Sequence, residues 1–401
     1  MLVSSAFKPG LSSEARAGVF YATFFMSAGT VGAYFAIWLS GKGISSGDIG
    51  IITSLPVFLM LAINLVVGRL ADRAGDWRTV IIIGALLAGL MPIGLFFVDE
   101  FWGILLVWTL AIIPMAAIAP VIDAATVRMT RRNGTDFARI RAWGTLGFML
   151  ALGTTGYVVA FWGPQAFVPY LVFVCLLRAG AALLLPRFRA PEKLNPLPGV
   201  VVAKKVSEVF RLWFTLPVFA FAMVMGTLLL FNTFAALVWK NAGHSEAVIG
   251  PLLALGALAE AVMMFAFVKL GKRFTARHLI LISALVSALR WGIMAFNPPL
   301  FILVLLQLTH GVSFGFGYLG MVNFIANWTH EDMAAEVQSM AVVVQQAMSV
   351  IAVIGFGYLL EIMDARAFLV ASAVCMLAAL FVWASLRIKT TSAENENGPA
   401  D

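Results

Sequence analysis

The chain alternates between long apolar runs and short polar interruptions, and the runs have the length of membrane spans. A helix needs about 20 apolar residues to cross roughly 30 Å of hydrocarbon. Twelve runs of that order fall at roughly 17–40, 48–70, 79–98, 101–126, 138–161, 166–186, 212–240, 247–270, 278–296, 299–328, 334–360 and 366–387. Gly and Pro lie inside many of them, which transmembrane helices tolerate better than soluble ones. The two-residue alternation of a membrane barrel is absent. The pattern predicts an all-α membrane protein with twelve transmembrane helices.

The longest polar stretch, 187–211, carries Pro191, Pro196 and Pro198 and several charges. It predicts a cytoplasmic linker between an N-terminal six-helix bundle (1–186) and a C-terminal one (212–388). The polar tail, 389–401, is predicted to be disordered. The halves read as a duplication at an offset of 200 positions. Ile49-Gly50 meets Ile249-Gly250, Leu70 meets Leu270, Arg73 meets Arg273 and Asp123 meets Asn323. Parallel six-span repeats with a midplane substrate site are one way transporters are built.

Composition removes the soluble classes. The chain is 61% apolar and 12% charged, against about 45–50% and about 25% for a soluble domain. The net charge of +7 reflects topology and excludes a nucleic-acid partner, because the basic residues are spread over short loops. With both termini cytoplasmic, all but five Lys and Arg residues fall on the cytoplasmic side, as the positive-inside rule requires. Lys42, Lys240 and Arg366 lie opposite, and Arg178 and Arg290 lie within spans. Arg178 is close enough to its helix end to be expected to snorkel. Cys175 and Cys375 sit in apolar runs and predict no disulfide framework. The first apolar run lacks the short h-region and cleavage site of a signal peptide.

Ionisable residues within spans are costly, and each is by default a functional candidate. Asp123 and Arg141 can neutralise each other across two helices. Glu260, Arg290, Gln307 and His310 form a second group, and 307 and 310 share a helix face. Two literal motifs carry no chemistry. Gly315-Phe-Gly317-Tyr-Leu-Gly320 lies within an apolar helix and not at a strand-to-helix turn, so it is no dinucleotide site. The acceptor triplets at Asn133 and Asn327 fall on the cytoplasmic side. No nucleophile–base or metal constellation appears, so an enzyme is not expected and no cofactor is implied.

Gly68-Arg-Leu70-Ala-Asp72-Arg73-Ala-Gly75-Asp76-Trp-Arg78 resembles the loop signature of the major facilitator superfamily. That resemblance implies a gating loop built on Gly68, Asp72, Arg73, Gly75 and Arg78. The stretch from Ala119-Pro120 through Asp123 and Arg141 to Trp143-Gly144-Thr145-Leu-Gly147-Phe148 is similar to lactose permease and its proton-symporter relatives. By that resemblance Asp123, Arg141 and Phe148 occupy sugar-binding positions. Trp143 departs from lactose permease and resembles the phenylpropionate permease and nucleoside symporter families. The spacing of Arg290 and His310 matches lactose permease, whereas Ser313 stands where that family has its proton-carrying glutamate. Gln307-Leu-Thr-His310-Gly-Val-Ser313-Phe314, with Ala259-Glu260, resembles the phenylpropionate permease pattern.

Taken together, these readings predict a secondary transporter in which two pseudo-symmetric bundles alternate access to a central site. The expected reaction is proton-coupled symport of a small organic solute, with an aromatic or other organic acid favoured. A sugar or nucleoside symporter, or a drug/proton antiporter, is the alternative. The substrate-binding residues are Asp123, Arg141, Trp143, Phe148 and Gln307, and the proton-coupling residues are Glu260, Arg290 and His310. The expected partners are a small-molecule substrate, a proton and the lipid bilayer of a bacterial inner membrane, with the monomer as the working unit.

Overall fold

The computed structural model describes residues 11–73, 76–188, 211–270, 274–328 and 331–388, and no strand occurs among them. Each apolar run is a helix. The first half consists of α1 (Ser13–Gly41), α2 (Ser46–Arg73), α3 (Trp77–Leu90), α4 (Phe101–Asn133), α5 (Phe137–Trp162) and α6 (Phe167–Leu183). The second consists of α7 (Leu212–Asn241), α8 (Glu246–Leu270), α9 (Ala276–Met294), a composite α10, α11 (Glu331–Met363) and α12 (Phe368–Arg387). The α10 rod is α-helical over Leu300–Leu308, π-helical over Gly311–Phe316 and α-helical again over Gly317–Trp328. Nine described stretches are long and apolar enough to cross a membrane, one of them running through both α11 and α12; α1 makes ten if counted across its 44° bend between Gly32 and Tyr34.

Most helix ends fall close to the ends of the apolar runs, because run length is itself the physical determinant. The clearest exception is α4, which continues past its run to Asn133. Its last turns carry Arg128, Arg131 and Arg132, and long charged side chains are good helix formers in water. Gly134, at φ 66°, then closes the helix in the left-handed conformation, as C-terminal glycines do.

The duplication is visible in matching turns. After α1, the N–H of Gly43 donates to Ser40 O and that of Ile44 to Leu39 O; after α7, Gly243 donates to Lys240 O and His244 to Trp239 O. Both glycines have positive φ, 80° and 92°. A side chain at either position would strain the turn.

The halves meet along α2 with α11, α5 with α8, and α1 with α7. Among the described residues, hydrogen bonds between halves are confined to the end that carries these two turns. The backbone N–H of Gly47 donates to Glu361 Oε1 at 2.6 Å. The Tyr34 hydroxyl lies 3.2 Å from both the Leu152 and the Glu246 carbonyl oxygens. Gly250 is pressed against the Leu152 carbonyl, so the two backbones touch with no room for a side chain, as small residues permit in membrane bundles. This end of the molecule is closed. Residues 189–210, which hold most of the expected linker, and the tail from 389 lie outside the described residues.

Candidate functional site

The second half brings Glu260, Arg290 and His310 into one cluster, buried except at Glu260. Arg290 on α9 is 1% exposed. It donates from one terminal nitrogen to His310 Nδ1 at 2.9 Å and to Ser313 Oγ at 3.4 Å, and from the other to Gln307 Oε1 at 2.8 Å. Its guanidinium also lies over the rings of Phe231 and Trp291, at 4.5 and 4.7 Å. Desolvated cation–π contacts of this kind are worth about 2 kcal/mol. Arginine has no acceptor, so His310 Nδ1 must be the accepting atom. The imidazole proton is therefore on Nε2, and Nε2 faces Glu260 Oε2 at 3.7 Å.

Local backbone structure makes this arrangement possible. Gly311 packs directly against the Ala259 carbonyl of α8, which lets α8 bring Glu260 up to His310. The π-helical turn beginning at Gly311 is the kind of irregularity often found at functional sites. Ser283 Oγ donates to its Ser313 carbonyl at 2.5 Å, which helps satisfy the turn. Only Glu260 is substantially open, with one third of its side-chain surface exposed.

The first half holds a second group. The Tyr21 hydroxyl donates to Asp123 Oδ1 at 2.6 Å. The Arg141 guanidinium lies 3.9 Å from the centre of the Phe25 ring and 5.7 Å from that of Tyr21. Arg141 belongs to the first turns of α5, yet its head reaches inward to Phe25, about 18 Å along α1 from Ser13. Phe148, two turns along α5 on the same face, lies against Gly29 of α1.

Several sequence expectations are corrected by this geometry. Asp123 and Arg141 do not form an ion pair; each is engaged with Tyr21, which had not been singled out. Trp143 does not join them. Two residues along a helix is about 200° of rotation, so its side chain lies opposite that of Arg141, against Gly18 and 55% exposed. Gln307, expected with the substrate residues, is buried with its oxygen committed to Arg290. Arg178 does not snorkel. It is fully buried and donates to Ser27 Oγ of α1 at 2.7 Å.

The gating-loop residues divide. Gly75 lies outside the described residues, as do the side chains of Asp72 and Arg73 and the surroundings of Gly68, all in the last turns of α2. Arg78 is described, and it serves its own half: it donates to the Leu183 carbonyl at 2.8 Å. Beside it, Asp76 caps α3 through the Arg78 N–H and accepts from the Phe188 N–H. In this conformation Arg78 braces α3 against the end of α6.

Sequence reasoning missed Tyr21, Phe25, Phe231 and the role of Ser313. Tyr21 and Phe25, four residues apart on α1, did carry a weak signal. The chain's thirty-two phenylalanines hid it.

The sequence model of the MFS_1 like family matches residues 15–352. The probable 3-phenylpropionic acid transporter of Escherichia coli (strain K12) is 26% identical over 318 residues, covering 76% of this chain and 80% of that protein. Maltose permease of Geobacillus stearothermophilus is 28% identical over 325 residues, covering 78% and 79%. The putative nucleoside transporter YegT of Escherichia coli (strain K12) is 26% identical over 314 residues, covering 72% and 71%. The crystal structure of nucleoside transporter NupG shares the fold with a TM-score of 0.81 at 17% identity, covering 94% of this chain and 100% of that one. A bacterial homologue of the human lysosomal transporter Spinster, in an inward-facing and occupied conformation, gives 0.74 at 14% identity, covering 96% and 98%. With the family match running from α1 into α11, on a helical fold shared with these carriers, the chain belongs to the MFS_1 like family and is a multi-pass secondary transporter, not an enzyme.

Proposed function

We propose that this transporter is a proton-coupled symporter of a small organic acid. It works as a monomer in a bacterial inner membrane, with both termini cytoplasmic and the two six-helix halves moving about a central linker. The observation that carries this reading is the Arg141 guanidinium. It is held in the first half on the Phe25 ring, with no acidic partner in salt-bridge reach among the described residues. A charge at membrane depth costs several kcal/mol unless something offsets it, and the carboxylate of a substrate does so while matching the planar fork of donors. Asp123, occupied by Tyr21, does not compete for Arg141. It retains a second oxygen with which to fix a polar group of the solute.

Coupling is assigned to the second half. Glu260 is the open member of the Glu260–His310–Arg290 chain and takes the proton. A proton on His310 Nδ1 would set two donors face to face and break the bond from Arg290. The relay therefore favours loading at Glu260, with His310 Nε2–H and Arg290 behind it setting the affinity. Closure of the Tyr34 and Gly47 end supports an inward-facing state, with the loading side open to the cytoplasm.

A sugar or nucleoside symporter is the second reading, favoured by the free acceptor on Asp123. Uptake of labelled organic acids, sugars and nucleosides into proteoliposomes separates the two. Arg141→Gln is expected to weaken binding of the transported acid by roughly 10- to 100-fold, the loss of one charge-assisted hydrogen bond of about 1.5–3 kcal/mol. Arg141→Lys should fall between. Wild-type affinity for the acid in Arg141→Gln would refute the anchor.

A further inference from the structure

The second half carries an apolar groove with a polar mouth, away from the seam between the halves. Neither α9 nor α12 is among the helices along which the halves meet, so this face is turned to the bilayer. Between them runs a groove of about 640 Å³, walled by Leu285, Leu289 and Ile293 on one side and by Leu369 and Met376 on the other. From Leu285 to Phe296 is about 16 Å along the helix. That is about half of a hydrocarbon core of roughly 30 Å, the depth of one leaflet. At the closed end the groove passes Phe296 into a second cavity of about 570 Å³, between the α9–α10 and α11–α12 turns. Asn297, Asp364 and Arg366 line this mouth. Among the described residues, Asn297 and Asp364 are the two non-glycines with positive φ, 46° and 48°, so both turns bend sharply to present them.

The duplication supplies a comparison. At the offset of 200 positions, Leu95, Phe96, Pro164 and Gln165 meet Ala295, Phe296, Asp364 and Ala365, and they line a cavity of about 280 Å³ at the same end of the first half. The cation of that cavity, Lys42, is neutralised by Asp99. Lys240 is likewise paired with Glu246, at 2.8 Å. Position 299, which matches Asp99, is proline. Arg366, the third basic residue at this end, has no carboxylate in salt-bridge reach among the described residues.

An arginine at the rim of an apolar groove suits a phosphate, whose oxygens match its planar fork of donors. Asp364, two residues before it in the chain, offsets its charge, so the mouth has no net attraction for an anionic headgroup. It offers one acid and one base to a headgroup that carries a charge of each sign. We infer that this is a binding site for one phospholipid of the leaflet at the closed end, with an acyl chain in the α9–α12 groove, its phosphate on Arg366 and a primary ammonium on Asp364. The site lies outside the solute path and does not depend on which solute is carried. Phosphatidylethanolamine has both charges and N–H donors. Phosphatidylcholine lacks the donors, and phosphatidylglycerol lacks the cation.

The test is native mass spectrometry of the full-length protein in detergent, titrated with each of these three lipids. Wild type should retain phosphatidylethanolamine about tenfold or more tightly than the other two, and Arg366→Gln should lose that retention by a similar factor. Asp364→Asn keeps a residue tolerant of positive φ and should abolish the preference over phosphatidylcholine. A Cβ on Gly292 meets Ser372 Oγ alone within 4 Å, at 3.4 Å, so the side chain of Gly292→Leu stands in the groove and should displace all three lipids. Wild-type unfolding temperatures in lipid-free detergent show which variants fold. Should Gly292→Leu fail to, Arg366→Gln and Asp364→Asn carry the test alone. Equal retention of the three lipids by wild type, or unaltered retention in the folded variants, would overturn the site. So would a wild-type dimer that phosphatidylethanolamine does not dissociate, which would make the groove a contact between two copies.

Discussion

Arg178 and Arg290 are both fully buried arginines in this membrane protein, and their surroundings give them different tasks. Arg290 sits in a web of His310, Gln307, Ser313 and two aromatic rings. Arg178 has the Ser27 hydroxyl and, among the described residues, no acidic neighbour in hydrogen-bond reach. Ser27→Ala should therefore destabilise the fold by about 1.5–3 kcal/mol, the value of a hydrogen bond to a charged group. Adding Arg178→Met to that variant should restore most of the loss, since replacing a buried charge by a well-packed apolar chain is commonly neutral or better. Thermal unfolding in detergent checks both. A double variant no more stable than Ser27→Ala would mean that Arg178 does more than pack.

The residue scale is also where the sequence was least legible. Glu260, Arg290 and His310 were visible because charges are rare in membrane spans and helical spacing aligns them. The depth of Arg178 pointed to snorkelling, yet rotation about its helix turns it toward α1 and away from lipid. Trp143 came from a family likeness. Simple helical rotation from Arg141 already placed it on the opposite face. The Tyr21–Asp123 bond joins residues far apart in the chain, and no local pattern encodes it.

At the scale of elements, most spans were legible to within a few residues, α4 excepted, because the length of an apolar run is a local quantity. The packing of one helix on another was not. It depends on glycines whose partners are distant: Gly250 on Leu152, Gly311 on Ala259. The same scale holds the latch of the closed end. Glu361, near the end of α11, accepts the N–H of Gly47 in the first turn of α2. A carboxylate at a helix N-terminus gains from the dipole as well as from the hydrogen bond. Glu361→Ala should shift the population toward opening at this end. Labelling of a Thr53→Cys side chain by an impermeant maleimide from outside should accelerate about tenfold or more, the population equivalent of that bond. The native thiols Cys175 and Cys375 are buried and give a low background. An unchanged rate would show that the latch does not hold the gate.

At the scale of the molecule, two bundles related by an offset of 200 residues have diverged in chemistry while keeping their turns at Gly43 and Gly243. The first carries a cation on an aromatic ring, Arg141 on Phe25, which the proposed function assigns to an organic anion. The second carries a chain of proton-bearing groups with one open end. In the proposed symport, dividing binding and coupling between the halves lets one rocking motion expose both to the same side. The measurement that bears most directly on this account compares wild type with Glu260→Gln in sealed proteoliposomes, using the acid that wild type transports. Wild type should accumulate the acid against its gradient when the interior is alkaline, with uptake that depends on pH. Glu260→Gln should still exchange labelled for unlabelled acid but fail to accumulate it, with a flattened pH response. Accumulation by Glu260→Gln at the wild-type rate and with the wild-type pH response would contradict the coupling assigned here.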